Sequence, residues 1–216
     1  MKNLNVIQIK AEETHEWFKK RHYAKTLPKC TSYAFGLYDG SNLIGVVSYG
    51  DPTGRTVLEA MTSKEYKHSI LELNRLCLLK NKKNYASFLI GNSLKLLPKP
   101  NIIISYADKS INHAGYIYQA TNFIYCGLSE KRTDWIIKGI NKHPRGVKLT
   151  EEMKKDKSKY ELVERARKHR YIYYLGNKKQ KRDFLKQLKY TIEPYPKTEN
   201  KYYEATYEPI TQMALI

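Results

Sequence analysis

Asp108 follows the β-branched run Asn101–Tyr106, within the stretch Ala107-Asp108-Lys109-Ser110 that breaks it. An apolar run of strand length that breaks into turn-forming residues sets a carboxylate at the mouth of a sheet. There it can orient an amine or accept its proton; the other reading is an Asx turn or cap for the helix that follows. Ser105, within the run, offers a hydroxyl to a cofactor, on the face that strand alternation gives it. Ala114, Tyr118 and Thr121 follow at spacings of four and three, so one helical face carries Tyr118 toward the next strand, Phe123–Gly127. His22 ends an earlier helix, where an imidazole serves as base or metal ligand, or as a cation at the negative end of the helix dipole. No HxH or HxxxH pair accompanies it. Glu72 and Arg75 interrupt an apolar strand three residues apart and are expected on opposite faces. Arg75 suits a cofactor or a phosphate and Glu72 suits a base; alternatively each pairs with an unrelated surface charge.

The elements that must position these groups can be read in order. A strand is expected near Asn5–Lys10 and a helix over Ala11–Arg21, acidic in its first turn and basic in its last. Tyr33–Tyr38 and Leu43–Tyr49, separated by Asp39-Gly40-Ser41-Asn42, read as a β-hairpin. Ile70–Leu79 is a longer strand, and Tyr85–Leu97 a helix with Ala86, Ile90, Leu94 and Leu97 on one face, stopped by Pro98 and Pro100. Together with Asn101–Gly127 this is β-α-β-β-β-α-β-α-β, an α/β mixed sheet with helices on both faces.

The 216 residues suffice for one such domain and an extension. We expect a catalytic core over 1–140 and a basic, tyrosine-rich extension over 141–216, packed on the core and contributing to nucleic-acid binding. With no long apolar run and no secretion signal, the chain is expected to remain in the cytoplasm without membrane contact. Three widely spaced cysteines read as reduced thiols. The 39 Lys and Arg against 21 Asp and Glu give a net charge of +18, and residues 138–189 hold 18 basic against 6 acidic residues. This balance implies a polyanionic partner, the plain alternative being a solvated lysine-rich surface. Tyr160, Tyr171, Tyr173 and Tyr174 lie among these cations, and aromatic faces beside basic groups suit unstacked bases better than a membrane. Arg170, Tyr171 and the helix opened by Asn177, with Lys178, Lys179, Lys181 and Arg182, are the favoured contacts. Positive charge at a helix N-terminus opposes the dipole, and an anionic partner would relieve it.

Asn112, Ala114, Tyr118 and Phe123 resemble the second half of the GNAT acyltransferase core, with Asn122 standing where a glycine is usual. In that family the loop after the fourth strand and the following helix N-terminus hold the CoA pyrophosphate, which assigns cofactor contacts to Lys82, Asn84 and Ser87, along with Arg75, Ser105 and Asn112. The usual glycines are missing from Lys80–Ser87. Tyr118 holds the place of the tyrosine that protonates a departing thiolate. More narrowly, His22-Tyr23, FGLYDGSNLIGVVSYGDP, LELNRLCLL, SYADKSINHAGYIYQATNFIYCG and KHRYIYYLGNKKQKRDFLKQLKY resemble the Mom-type phage DNA-modification proteins, over about residues 15 to 197. The resemblance implies an anti-restriction enzyme that adds a carbamoylmethyl group to the exocyclic amine of adenine in double-stranded DNA. It implies His22, Tyr23, Asp108 and Tyr118 as catalytic residues, acetyl-CoA or a related acyl donor, and iron with His22 as ligand. A base extruded from a duplex must be held by stacking, for which Tyr49, Tyr23, Tyr106 and Tyr116 are available. Two alternatives stand beside it: a conventional N-acetyltransferase for a protein or small amine, and a noncatalytic nucleic-acid-binding protein.

Overall fold

Tyr33–Asp39 (β2) and Asn42–Gly50 (β3) form the expected hairpin, with Gly40 at φ 59 in its turn. In this computed structural model, which describes residues 3–22, 26–52, 61, 69–109, 113–140 and 149–197, the hairpin anchors a seven-stranded sheet. Leu4–Ile9 (β1) flanks β2, and a short 3-10 turn leads from it into His15–Lys20 (α1). Ile70–Leu78 (β4) lies beside β3; Tyr85–Leu96 (α2), Asn101–Asp108 (β5), Tyr116–Ala120 (α3) and Ile124–Leu128 (β6) follow. Arg132–Ile137 (β7) and Tyr160–Arg165 (β8) pair with each other as a separate two-stranded ribbon. Lys168–Leu175 (β9) precedes Lys178–Gln187 (α4). The sheet order is β1-β2-β3-β4-β5-β9-β6, with β4 and β5 the parallel pair. The basic segment therefore supplies an inner strand: β9 pairs along the whole of β5, from Asn101 opposite Leu175 to Asp108 opposite Lys168.

Strand alternation sorts the core onto two faces. Ile103 and Ala107 of β5 join Leu71, Leu73 and Tyr171 under Leu89, Ile90 and Leu94 of α2 and Tyr118 of α3. Ile102, Ile104, Ile172 and Tyr174 turn the other way, onto Phe184 of α4, and Val46 and Cys77 meet Phe18 of α1 on that side. Asn177 opens the last helix as expected, in a capping box, its side chain accepting from the Gln180 amide at 2.9 Å.

β4 and β5 pair only at Ile70–Ile102, Leu71–Ile103 and Glu72–Ile104, although both strands run on. Ser105 Oγ, fully buried, donates to the Leu73 carbonyl at 3.0 Å and ties the strands once more where the ladder ends. Beyond it they part. On the opposite edge of β4 a β-bulge makes Asn74 an extra residue, between Leu73 opposite Tyr49 and Arg75 opposite Ser48. Asn74 is pinned by Ser48 Oγ, which donates to its Oδ1 at 2.6 Å, and donates through Nδ2 to the Cys30 carbonyl at 3.1 Å.

Asn122, in the place usually held by glycine, has φ 62; asparagine is the side-chain-bearing residue that best tolerates this left-handed region. Gly115 has φ 77, and a Cβ there would lie 2.4 Å from the Tyr171 ring. That ring is fixed, since its hydroxyl donates to the Ala114 carbonyl and accepts from Gln119 Nε2 at 3.0 Å. Gly115→Ala is expected to destabilise the protein by about 2–4 kcal/mol. Asn122→Val should cost about 1–2 kcal/mol, and Asn122→Gly under about 1. Urea unfolding checks all three.

Candidate active site

The parting of β4 and β5 opens a cavity of about 550 Å³. It is lined by β4 from Glu72 onward, the loop at Asn81–Asn84, the first turn of α2, the end of β5 and α3, with His22 and Lys168 at its walls. His22, Arg75, Lys82, Asn84, Ser87, Asp108 and Tyr118, assigned separately from the sequence, all line it. Tyr23 and Asn112 lie outside the described residues. Ser105 is not part of the lining; its hydroxyl is committed to the Leu73 carbonyl.

The two faces of the sheet give the cavity two unlike halves. On the α2 side, Asn84 opens the helix with φ 68, Ser87 Oγ donates to the Asn84 carbonyl at 3.1 Å, and Lys82 lies over the Tyr85 ring at 5.5 Å. Exposed Lys82 and Lys83 beside a helix N-terminus suit a phosphate-bearing group despite the missing glycines. Tyr118 belongs to this same α2 side, 6% exposed, its ring against Phe123 and Tyr171 at 5.4 and 5.2 Å.

On the α1 side, Ile104, Tyr106 and Asp108 share a face by alternation. Glu72 joins them, because it pairs in register with Ile104. The bulge at Asn74 restores Arg75 to that same face, in line with Cys77 against α1. The expectation that Glu72 and Arg75 oppose each other is thus corrected: the inserted residue cancels the odd spacing. Arg75 Nη1 donates to the Asn74 carbonyl at 2.7 Å and Nη2 to Thr26 Oγ1 at 3.3 Å, while Nε is buried without a hydrogen-bond partner. Asp108 pairs with Lys168 at 3.5 Å. It is no helix cap, since Gly115 holds the N-cap of α3.

His22 is 5% exposed with its ring edge-on to Phe18 at 6.3 Å. Burial, helped by the Arg75 cation, lowers its pKa from 6.5 to about 3. It is a neutral imidazole at physiological pH, which removes the reading of a cation on the helix dipole. His113 and His169 are likewise held below the usual histidine range, chiefly by burial. His169 Nδ1 meets the Tyr125 hydroxyl at 2.9 Å.

The expected nucleic-acid contacts fare unevenly. Tyr49 is fully buried with its hydroxyl 2.7 Å from Ser93 Oγ, and Tyr171 is fully buried beneath Gly115, its pKa pushed up to about 12 by burial. Neither presents a ring face to a base, so both belong to the core. Arg170 lies over the Tyr190 ring at 3.8 Å and donates from Nη1 to the Cys126 carbonyl at 3.2 Å, which makes it a packing cation. Lys178, Lys179, Lys181 and Arg182 are exposed on α4. Their helix begins just past Leu175, the end of β9 away from Lys168 and the cavity, about 23 Å along the strand at ~3.3 Å per residue. Lys168, which closes the site on Asp108, was not singled out in the sequence. The two meet through strand pairing across 60 positions, and nothing local signals it.

A model of the Mom protein family matches residues 3–197. The chain belongs to the Mom family. It is 28% identical over 212 residues to methylcarbamoylase Mom of Escherichia phage Mu, covering 91% of this chain and 85% of that protein. Among solved structures, Arabidopsis thaliana NAA60 in complex with acetyl-CoA superposes with a TM-score of 0.50 at 11% identity, over 81% of this chain and 99% of that one. A GNAT-family acetyltransferase from Bacillus cereus gives 0.44 at 12%, over 81% and 99%. The fold of this Mom-family chain is GNAT-like, as the motif around Tyr118 implied.

Iron, expected from the resemblance, does not fit the residues described. No group of three His, Cys, Asp or Glu side chains that could hold a metal occurs among them. His22 moreover lies within the electrostatic reach of the Arg75 cation. Cys30, Cys77 and Cys126 are free thiols, and burial raises the last two to about 11. Among the described residues no helix is long and apolar enough to cross a membrane.

A histidine whose folded pKa lies below its unfolded value contributes stability above pH 6.5 that is lost as pH falls toward the folded value. Between those two values the unfolded chain holds a proton that the folded one does not. His22→Gln is therefore expected to flatten the dependence of unfolding free energy on pH by about 1.4 kcal/mol per pH unit between pH 6 and 4. Urea titrations of both proteins across that range check it.

Proposed function

We propose that this Mom-family chain is a DNA-modifying transferase that places a carbamoylmethyl group on the exocyclic amine of adenine. Its similarity to a methylcarbamoylase supports the group transferred, and the net charge of +18 supports a nucleic-acid substrate. The observation that carries the reading is the cavity through the sheet. One half is built for an anionic donor and the other carries carboxylates for an amine, and they meet where β4 and β5 part.

The donor half would take a phosphate-bearing donor of the CoA type against Lys82, Lys83 and the first turn of α2. The acceptor half would take the base, its amine toward Asp108 and Glu72. For a carbamoylmethyl product the amine nitrogen bonds to the methylene carbon of a donor that already carries the CH2–CONH2 group, as the bond from that carbon to its leaving group breaks; attack at the carbonyl of a thioester would give an N-acyl adenine instead. The amine proton passes to a carboxylate, Asp108 with its charge balanced by Lys168. Tyr118, on the donor side, supplies a proton to a thiolate leaving group. Neutral His22 positions the acceptor by hydrogen bonding and needs no charge change. The exposed cations of α4 add phosphate contacts remote from the chemistry. A phage-encoded enzyme of this kind would work in the host cytoplasm.

Mass spectrometry of nucleosides from plasmid DNA of expressing cells tests this. A heavier adenosine is expected with the native chain. Asp108→Asn and Tyr118→Phe should each lower its yield about 100-fold or more, with DNA affinity unchanged. Unaltered nucleosides together with stoichiometric acetyl-CoA consumption on a small amine would establish a conventional acetyltransferase instead. Salt-sensitive DNA binding with no chemistry would establish a binding protein.

A further inference from the structure

The β7–β8 ribbon has no part in the catalytic account, and its root lies on the rim of the cavity. Ser129, just before β7, donates its amide to the Lys168 carbonyl at 2.8 Å, and Arg167, just after β8, donates from Nε to the Ser129 carbonyl at 2.6 Å. Lys109 donates its amide to the Arg167 carbonyl at 3.2 Å, and Lys168 pairs with Asp108. Backbone and side chain together thus fasten the ribbon to the end of β5 that carries the candidate base. Asp134 and Arg165 brace it, with Arg165 Nε 2.6 Å from Oδ2.

Beyond the ribbon's strands the charge is strongly one-sided. Residues 138–159 carry eight Lys or Arg against three Asp or Glu. Lys138, Lys155, Lys157 and Lys159 are exposed there. A two-stranded antiparallel ribbon, with strands about 4.8 Å apart, fits within a major groove about 12 Å wide once its side chains are added. The exocyclic amine of adenine points into that same groove. A ribbon seated there approaches the duplex from the side of the atom to be modified, with its root beside Asp108.

We propose that the β7–β8 ribbon is the arm that holds duplex DNA over the cavity, its strands in the major groove and its distal lysines on the flanking phosphates. The proposal rests on the reading of the chain as a DNA-modifying enzyme. It moves the principal contact from the first turn of α4, at the far end of β9, to the rim of the site. One ribbon face is apolar, Trp135 opposite Leu162 with Leu162 52% exposed, next to Ile137 opposite Tyr160. A second copy of the chain could cover such a strip, but it would bring another body of net charge +18 against the exposed Lys138, Lys155, Lys157 and Lys159.

The test compares the native protein with a ribbon variant (Lys138, Lys155, Lys157 and Lys159→Gln) and a helix variant (Lys178, Lys179, Lys181→Gln with Arg182→Gln). Binding to a 20-base-pair duplex is measured by fluorescence anisotropy from low to moderate salt, folding is verified by circular dichroism, and adenine modification is read in parallel. The ribbon variant should lose at least about tenfold in affinity and flatten the log–log salt slope by about 2–4, at roughly 0.9 for each phosphate that is no longer neutralised. The helix variant should lose less, and native protein and helix variant, but not the ribbon variant, should protect guanine N7 in the major groove from methylation. Equal slopes and protection for native and ribbon variant, with the native protein modifying DNA, overturn the ribbon proposal and leave the enzyme reading standing. Native protein that binds duplex through the ribbon yet never alters adenine overturns the enzyme reading instead. A native dimer by light scattering that Leu162→Lys dissociates would make the ribbon a self-association surface and overturn the proposal as well.

Discussion

β4 and β5 stay paired for three residues and then separate, and each candidate group depends on that separation. Two strands that part inside a sheet strip one edge of each of its ladder, and unpaired backbone groups away from water are costly. The cost is limited in two ways. β3 and β9 hold the outer edges of the same strands, and the Ser105 hydroxyl satisfies the Leu73 carbonyl at the fork. What remains is a slot open to both faces.

The electrostatics of the slot follow from where its cations are held. Arg75 is anchored by the Asn74 carbonyl and Thr26, Lys168 by Asp108, and Arg170 by the Tyr190 ring and the Cys126 carbonyl. A buried charge without compensation costs several kcal/mol, so these partners are what allow guanidinium groups near an apolar core. One consequence is a neutral His22: burial and a neighbouring cation both oppose its protonation. On the proposed reading, the carboxylates Asp108 and Glu72 are then the proton acceptors of that side, and the imidazole serves by shape and hydrogen bonding.

Much of this was legible in local patterns. The β2–β3 hairpin, β4, α2, β5, α3 and the Asn177 cap follow from alternation, helical spacing and turn chemistry. Asn122 shows how a departure from a motif can preserve its physics, since asparagine still satisfies the positive φ. What was missed is non-local. The bulge at Asn74 depends on Ser48 and on the Cys30 carbonyl, and a single inserted residue moves Arg75 to the face of Glu72. Tyr49 and Tyr171 look like surface aromatics until Ser93 and Ala114 take their hydroxyls. β9 hides among lysines because its charged residues cluster at the slot and its apolar ones are buried on both faces.

The size of the slot and the charge of the chain are connected through the proposed substrate. A cavity of about 550 Å³ within a sheet can take a nucleobase and the reactive end of a donor, but it cannot take a duplex. The base must therefore leave the stack, at a cost of a few kcal/mol. Nothing inside the slot recovers that cost before the base has entered. Phosphate contacts can, because each cation that displaces condensed counterions contributes whatever the sequence of the DNA. A large positive excess outside the slot is thus the natural counterpart of a small, sheet-buried site. It also implies that occupancy of the slot will follow ionic strength more steeply than any step within it.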